Sequence, residues 1–171
     1  MTNKRLFFGL DATSQRTPLT RLQHALALDA KPVAPENLHL TLLFLGLVAE
    51  ERLEALYQLG HAVAWHHAPL SITLDKLGLF HHAQVAWMGA TQPPAGLLAL
   101  EHALRSGVTA LGLPLEARPY RPHVSLYRKA RVLPALTPPH ITLEAQALHL
   151  YESCSNPEGV RYLKLASWPL G

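Results

Sequence analysis

Apolar residues recur along this chain in two different periods, and each period predicts one kind of element. Short apolar or alternating runs predict strands at 5–10, 38–45, 70–74, 84–88, 115–118, 123–128, 144–152 and 160–165. A spacing of three to four predicts amphipathic helices from Pro18 onward, over 50–66, and from Pro93-Pro94 to about Gly112. Gly46 is expected to end the strand 38–45. Strands and helices are interleaved without a linker or low-complexity segment, so we expect one α+β domain covering residues 1–171.

Two of the predicted strands carry the same short pattern, in which a histidine is followed two residues later by a hydroxyl. The first reads His39-Leu40-Thr41-Leu42 and the second His123-Val124-Ser125-Leu126, about half a chain length further on. Side chains two apart on a strand share a face, so each strand presents an imidazole and a hydroxyl together while its leucines or valine face a core. Two similar lobes that each lend one such strand to a cleft would surround a small anion with four polar groups.

These four residues suit acid–base chemistry on a phosphate. Histidine has an ordinary pKa of about 6.5, so both of its protonation states are available near neutral pH. A neutral histidine can take a proton from an attacking water while a protonated one gives a proton to the leaving oxygen. Thr41 and Ser125 would then hydrogen-bond the non-bridging phosphate oxygens. This chemistry requires no cofactor and no metal.

Basic and aromatic residues next to the second motif are candidate substrate contacts. Arg118, Arg121 and Arg128 carry guanidinium groups that match phosphate geometry. On an ideal strand Arg121 and Tyr127 share the face of His123, whereas Arg128 needs a bend or bulge to reach it. Tyr127 is expected either to stack on an RNA base or to pack at the cleft wall.

A third match to the pattern, His140-Ile141-Thr142-Leu143, shows that the pattern alone does not select the histidine pair. Arginines surround His123, whereas prolines and Glu144 surround His140. The interval from His39 to His123 also leaves room for a whole strand–helix unit. We therefore expect His123 to be the partner of His39, and His140 to begin a strand near a surface turn.

Composition narrows the class of protein. Apolar residues make up 49% of the chain and charged residues 16%, which is typical of a globular protein. The net charge of +3 permits an anionic partner. The single cysteine, Cys154, excludes an internal disulfide and suits a reducing cytoplasm. No segment predicts a signal peptide or a membrane span, so we expect a cytoplasmic protein that does not enter a membrane.

The sequence resembles the RNA 2′,3′-cyclic phosphodiesterases of the 2H phosphoesterase superfamily, also called 2′-5′ RNA ligases. The similar segments cover residues 5–11, 35–46, 118–126, 150–153 and 161–162. The segment around His39 is the most specific of these. Ser125 departs from the threonine usual in the second motif but keeps the hydroxyl. His140 falls after the second motif of the family, which again favours His123.

The resemblance implies a bilobal α+β fold, with two antiparallel-type sheets forming a central V-shaped cleft and helices packed outside. It implies metal-independent hydrolysis of a terminal 2′,3′-cyclic phosphate of RNA to a 2′-phosphate, with weak reversible 2′-5′ ligation. In these roles His39 donates the proton to the 3′-oxygen, His123 accepts the proton from water, and Thr41 and Ser125 hold the phosphate. RNA with a cyclic phosphate end would be the partner, and a monomer is expected.

Three other functions compete with this one. A non-catalytic RNA- or nucleotide-binding module would not need two titrating groups. A 2H phosphodiesterase for another cyclic phosphate or for 2′-5′ oligonucleotides would use the same catalytic residues, so sequence does not separate it. A metal enzyme is disfavoured because the adjacent pairs His66-His67 and His81-His82 do not converge on one ion, and no His-Glu-x-x-His or Cys-x-x-Cys pattern is present.

Overall fold

A computed structural model describes residues 2–171 as ten strands and three helices. The helices are α1 (Arg16–Leu26), α2 (Leu53–Trp65) and α3 (Ala95–Ala110). The strands are β1 (Asn3–Asp11), β2 (Lys31–Pro32), β3 (His39–Ala49), β4 (Leu70–Leu74), β5 (Lys76–Phe80), β6 (Val85–Gly89), β7 (His123–Arg128), β8 (Ile141–Ala145), β9 (Ala147–Asn156) and β10 (Gly159–Pro169). Within the described residues, no helix has the length and apolar character needed to cross a membrane.

Eight strands form one antiparallel sheet, in the order β10-β9-β1-β3-β7-β6-β5, with β2 paired to β7. Strands β4 and β8 form a separate antiparallel pair. The large sheet consists of two halves, because β3 and β7 share the single residue pair Leu40–Val124. The expected α+β class and antiparallel pairing are confirmed. The two sheets expected to form the cleft are the two halves of this one sheet, joined at the Leu40–Val124 pair.

The core lies on one side of the large sheet. Leu6, Phe8 and Leu10 of β1 are fully buried, together with Leu97 and Leu104 of α3. Helix α2 packs against β9 and β10 in one half of the sheet, and α1 packs against β7 in the other. The side chains of β3 and β7 that point away from this core form the candidate site.

Several element boundaries differ from those predicted. No strand forms at 115–118, where Pro114 and Pro119 flank a loop between α3 and β7. The single strand predicted at 144–152 is two strands, because the chain leaves β8 at Ala145 and enters a different sheet at Ala147. Strand β5 had no counterpart in the sequence analysis.

Gly46 does not end its strand as expected. It adopts φ +71° and β3 continues to Ala49, while the register against β1 shifts between Leu6 and Phe7. Glycine adopts a positive φ without a steric penalty, so it allows a bulge at this point. Gly46 therefore allows a bulge within β3 and does not end the strand.

Candidate active site

The two histidine motifs lie side by side where the halves of the large sheet meet. Leu40 and Val124 form the joining pair and are both fully buried. Their neighbours along each strand therefore point to the opposite face. Extending this antiparallel register by one residue in each direction sets His39 opposite Ser125, and Thr41 opposite His123. The tertiary structure thus brings the four predicted polar residues to one place.

The ring of His39 is held by hydrogen bonds at both nitrogens. Its Nδ1 lies 2.8 Å from the backbone oxygen of Asn37, and its Nε2 lies 2.9 Å from the Thr41 hydroxyl oxygen. A carbonyl oxygen only accepts, so Nδ1 carries the hydrogen and Nε2 accepts from Thr41 in the neutral ring. The pKa of His39 is lowered to about 4, mainly by burial and in part by the nearby charge of His123, against the opposing effect of the hydrogen bond to Asn37.

His123 has the same anchor. Its Nδ1 lies 2.7 Å from the backbone oxygen of Arg121, also two residues earlier. Nδ1–H donation leaves Nε2 of the neutral ring as the basic atom. Burial lowers the pKa of His123. The two histidines therefore share one tautomer, with Nε2 in each as the nitrogen available for proton transfer.

Aromatic side chains surround both histidines and cause this burial. Three of them contact His39: Phe7 and Tyr162 have ring centroids 4.8 Å from it, and Tyr151 lies at 5.9 Å. Two others flank His123, with Phe80 at 4.9 Å and Trp87 at 6.0 Å.

No role in the site was predicted from the sequence for these aromatic residues. They come from five different strands, so no local spacing connects them to the motifs. Phe7, Tyr151 and Tyr162 did fall within the segments similar to the family, and this was the one available signal.

A cavity of about 250 Å³ opens beside His39. Tyr151 and Tyr162 line it, together with Asp11 and Lys164, which form an ion pair. Asp11 also accepts a 2.7 Å hydrogen bond from the backbone N–H of Thr13. These interactions lower the pKa of Asp11 against the opposing effect of its burial. The lining of this cavity therefore includes a neutralised charge pair and an imidazole.

The predicted basic residues occupy different environments. Arg118 is exposed in the loop before β7 and forms an ion pair with Glu116. Arg121 is exposed, and its backbone oxygen accepts the hydrogen bond from His123 Nδ1. Arg128, at the end of β7, lines a second cavity that also includes Tyr162.

The prediction that Tyr127 lies on the groove face of β7 is wrong. The register between β6 and β7 shifts at Ala86 and Trp87, so Leu126 and Tyr127 are both buried in succession. Tyr127 is 5% exposed, and its hydroxyl donates a 2.5 Å hydrogen bond to the backbone oxygen of Gln23. This side chain therefore packs in the core. This bulge lies just before Arg128, the residue for which a bend or bulge was expected.

The remaining histidines lie apart from the motifs. His140 is exposed and immediately precedes β8, so the strand starts one residue after the predicted position. Strand β8 belongs to the sheet that contains neither β3 nor β7. His66 and His67 follow α2, and His81 and His82 lie in the turn between β5 and β6. Within residues 2–171, no three His, Cys, Asp or Glu side chains are grouped to hold a metal ion.

Comparison with known proteins gives consistent matches. The model of the family described as LigT like Phosphoesterase matches residues 10–87. The RNA 2′,3′-cyclic phosphodiesterase of Escherichia coli (strain K12) is 34% identical over 172 residues, covering 98% of this chain and 97% of that protein. The protein of the same name from Thermus thermophilus is 34% identical over 82% of this chain and 75% of its own length.

Solved structures agree with these sequence matches. The crystal structure of E. coli LigT complexed with 3′-AMP superposes with a TM-score of 0.88 at 33% identity, over 99% of both chains. The structure of TT0787 of Thermus thermophilus gives a TM-score of 0.80 at 32% identity, over 97% of both chains.

Proposed function

This chain belongs to the LigT-like phosphoesterase family, and we propose on that premise that it hydrolyses the terminal 2′,3′-cyclic phosphate of RNA to a 2′-phosphate. One observation carries the proposal. Two His-x-hydroxyl strands meet at the Leu40–Val124 pair, and each histidine has its Nδ1 tied to a backbone oxygen. Both Nε2 atoms are thereby oriented for proton transfer without any further group.

The reaction follows from this arrangement. Nε2 of His123 accepts a proton from a water molecule as the water oxygen forms a bond to phosphorus. The bond from phosphorus to the 3′-oxygen breaks, and Nε2 of protonated His39 donates its proton to that oxygen. Thr41 and Ser125 donate hydrogen bonds to the non-bridging oxygens, where negative charge increases in the transition state. The products are a 3′-hydroxyl and a 2′-phosphate. If the 5′-hydroxyl of a second RNA attacks phosphorus in place of water, the same proton transfers release the 3′-oxygen and join the two RNAs by a 2′-5′ bond, which accounts for weak ligation.

A bound phosphate favours the protonated form of His39, the proposed proton donor. With the site empty, the pKa of His39 is about 4, so the ring is neutral at pH 7 and accepts from Thr41. An anionic phosphate nearby favours the imidazolium and raises this pKa. Protonation of Nε2 then releases the Thr41 hydroxyl, which is free to donate to the phosphate. A histidine whose surroundings disfavour its charge is also a strong acid once protonated, which supports the donor role for His39.

The oligomeric state, the location and the partner of the enzyme also belong to the proposal. One chain supplies both motifs, which supports a monomer as the active form. We place it in the cytoplasm, with RNA as its partner and no resident metal. Of the three predicted arginines, Arg128 is the one that the cavity lining supports as a substrate contact.

The test uses a short RNA that ends in a 2′,3′-cyclic phosphate, incubated with enzyme in excess EDTA. Phosphorus NMR identifies the phosphate isomer in the product. We expect a 2′-phosphate from the wild type and from His140→Ala, and a loss of at least 10³-fold in kcat with His39→Ala or His123→Ala. His140→Ala is the matched control, because it removes a histidine from the same sequence pattern outside the site. A 3′-phosphate product, or no turnover by the wild type, would contradict the proposal.

A further inference from the structure

A second cavity adjoins the one beside His39. It has a volume of about 90 Å³, and Asn37 and Tyr162 line both cavities. Asn37 is fixed in this shared wall, because its Nδ2 donates a 2.7 Å hydrogen bond to the backbone oxygen of Val160. A ligand longer than one nucleotide that occupies the first cavity can therefore extend past Tyr162 into the second.

Two cations lie side by side in the lining of this second cavity. Lys31 of β2 and Arg128 of β7 are direct cross-strand partners, and both line the cavity. Like charges in opposed positions of antiparallel strands repel and destabilise the pair. Neither residue takes part in the ion pairs found within residues 2–171. Glu158 also lines the cavity but forms no ion pair with either one. Such a pair favours an anionic ligand, whose negative charge between the two cations would offset their repulsion.

We propose that this cavity binds the phosphodiester joining the terminal nucleotide of the RNA to the nucleotide before it. The inference rests on the proposed function, which places the terminal cyclic phosphate at His39 and His123. Ammonium and guanidinium groups both donate to phosphate oxygens. The next phosphodiester along the RNA is the anionic group that a free mononucleotide lacks. The second cavity thus selects the end of an RNA chain over a free cyclic mononucleotide.

The experiment compares two substrates with the same terminal base: a mononucleoside 2′,3′-cyclic phosphate, and a dinucleotide that ends in a 2′,3′-cyclic phosphate. The measured quantity is the ratio of kcat/KM for the dinucleotide to kcat/KM for the mononucleotide. Lys31→Glu is compared with Lys129→Glu, which makes the same change in net charge. Lys129 is exposed one residue beyond Arg128 and does not line the cavity.

We expect the ratio to fall about tenfold in Lys31→Glu and to stay near the wild-type value in Lys129→Glu. Lys31→Gln should lower the ratio less, and it carries the test if Lys31→Glu does not fold. For the dinucleotide, the slope of log kcat/KM against log salt should become shallower by about 0.7 in Lys31→Gln, as expected for one lost contact to single-stranded phosphate.

Three outcomes would overturn the inference. If both glutamate variants lower the ratio equally, the effect is one of net charge. If the wild type hydrolyses both substrates with the same kcat/KM and Lys31→Gln leaves the ratio unchanged, the second cavity does not bind RNA, although the proposed hydrolysis stands. If the wild type hydrolyses neither substrate, the proposed function fails and this inference fails with it.

Discussion

The hydroxyl of Tyr120 donates a 2.9 Å hydrogen bond to the backbone oxygen of Thr41 and so joins the loop before one histidine motif to the strand of the other. Burial raises the pKa of Tyr120, so the hydroxyl remains a donor at any ordinary pH. Strands β3 and β7 share one residue pair, Leu40–Val124. The Tyr120 bond is therefore a second connection that sets the positions of His39 and His123 relative to each other.

Tyr120→Phe removes this connection with little change in volume. We expect about 1 kcal/mol of lost stability, and a kcat reduced about tenfold with a smaller change in KM, because the two histidines are less well aligned. Urea denaturation and steady-state kinetics on a cyclic phosphate substrate measure the two effects. Tyr57→Phe, on α2, is the matched control. If Tyr120→Phe loses about 1 kcal/mol of stability but keeps the kcat of the wild type, Tyr120 has a structural role alone.

The pH dependence of hydrolysis follows from the lowered pKa values of the two histidines. The pKa of His39 is about 4 and that of His123 lies below its ordinary 6.5 in the free protein. The profile of kcat/KM, which reports the free enzyme, should be bell-shaped with its maximum below pH 6.5. The profile of kcat should lie at higher pH, because bound phosphate raises both pKa values. A kcat/KM maximum above pH 7.5 would contradict these protonation states.

The two hydroxyls should differ in how they tolerate substitution. We expect Ser125→Ala to lower kcat about 10²-fold by removing a donor to the phosphate, and Ser125→Thr to retain most of the activity. Thr41→Val keeps the shape of Thr41 but removes the donor to His39 Nε2, so it should lower kcat and also change the pKa of His39. Histidine NMR titration gives that pKa. Equal activity in Ser125→Ala and the wild type would exclude Ser125 from the reaction.

His149 gives a prediction about stability. It is 8% exposed, its Nδ1 lies 2.6 Å from the Ser167 hydroxyl oxygen, and burial and the charge of Lys164 lower its pKa to about 4. In the unfolded chain its pKa is near 6.5, so the unfolded state binds more protons between these values. The contribution to stability is complete above pH 6.5 and is lost as the pH falls toward 4.

Urea denaturation at pH 7 and pH 4.5 tests this linkage. The wild type should lose about 2 kcal/mol more than His149→Gln between these two pH values, because the variant has one fewer buried histidine to protonate. His102→Gln is the control, since His102 is an exposed histidine on α3. Identical pH dependence in the wild type and His149→Gln would show that His149 is already protonated when folded, or that it does not affect stability.

The residues that predict the chemistry are local in sequence. A histidine and a hydroxyl two positions apart share one face of any regular strand, so Thr41 could be paired with His39, and Ser125 with His123, from spacing alone. Apolar periodicity likewise predicted the three helices and most of the strands. His140 could be set aside from its sequence neighbours, and it lies immediately before β8, next to the strand start that was predicted for it.

Whatever depends on which strands pair, and in which register, was decided by the tertiary structure. A one-residue shift against β6 places Tyr127 in the core, although regular alternation predicts the groove for it. Strand pairing also sets Lys31 opposite Arg128, and brings Tyr162 and Trp87 to the two histidines from distant parts of the chain. The sequence by itself determined which side chains are the candidates for the chemistry, because strand geometry is local. The tertiary structure decided their neighbours, their burial and their pKa values, since these arise from contacts between distant segments.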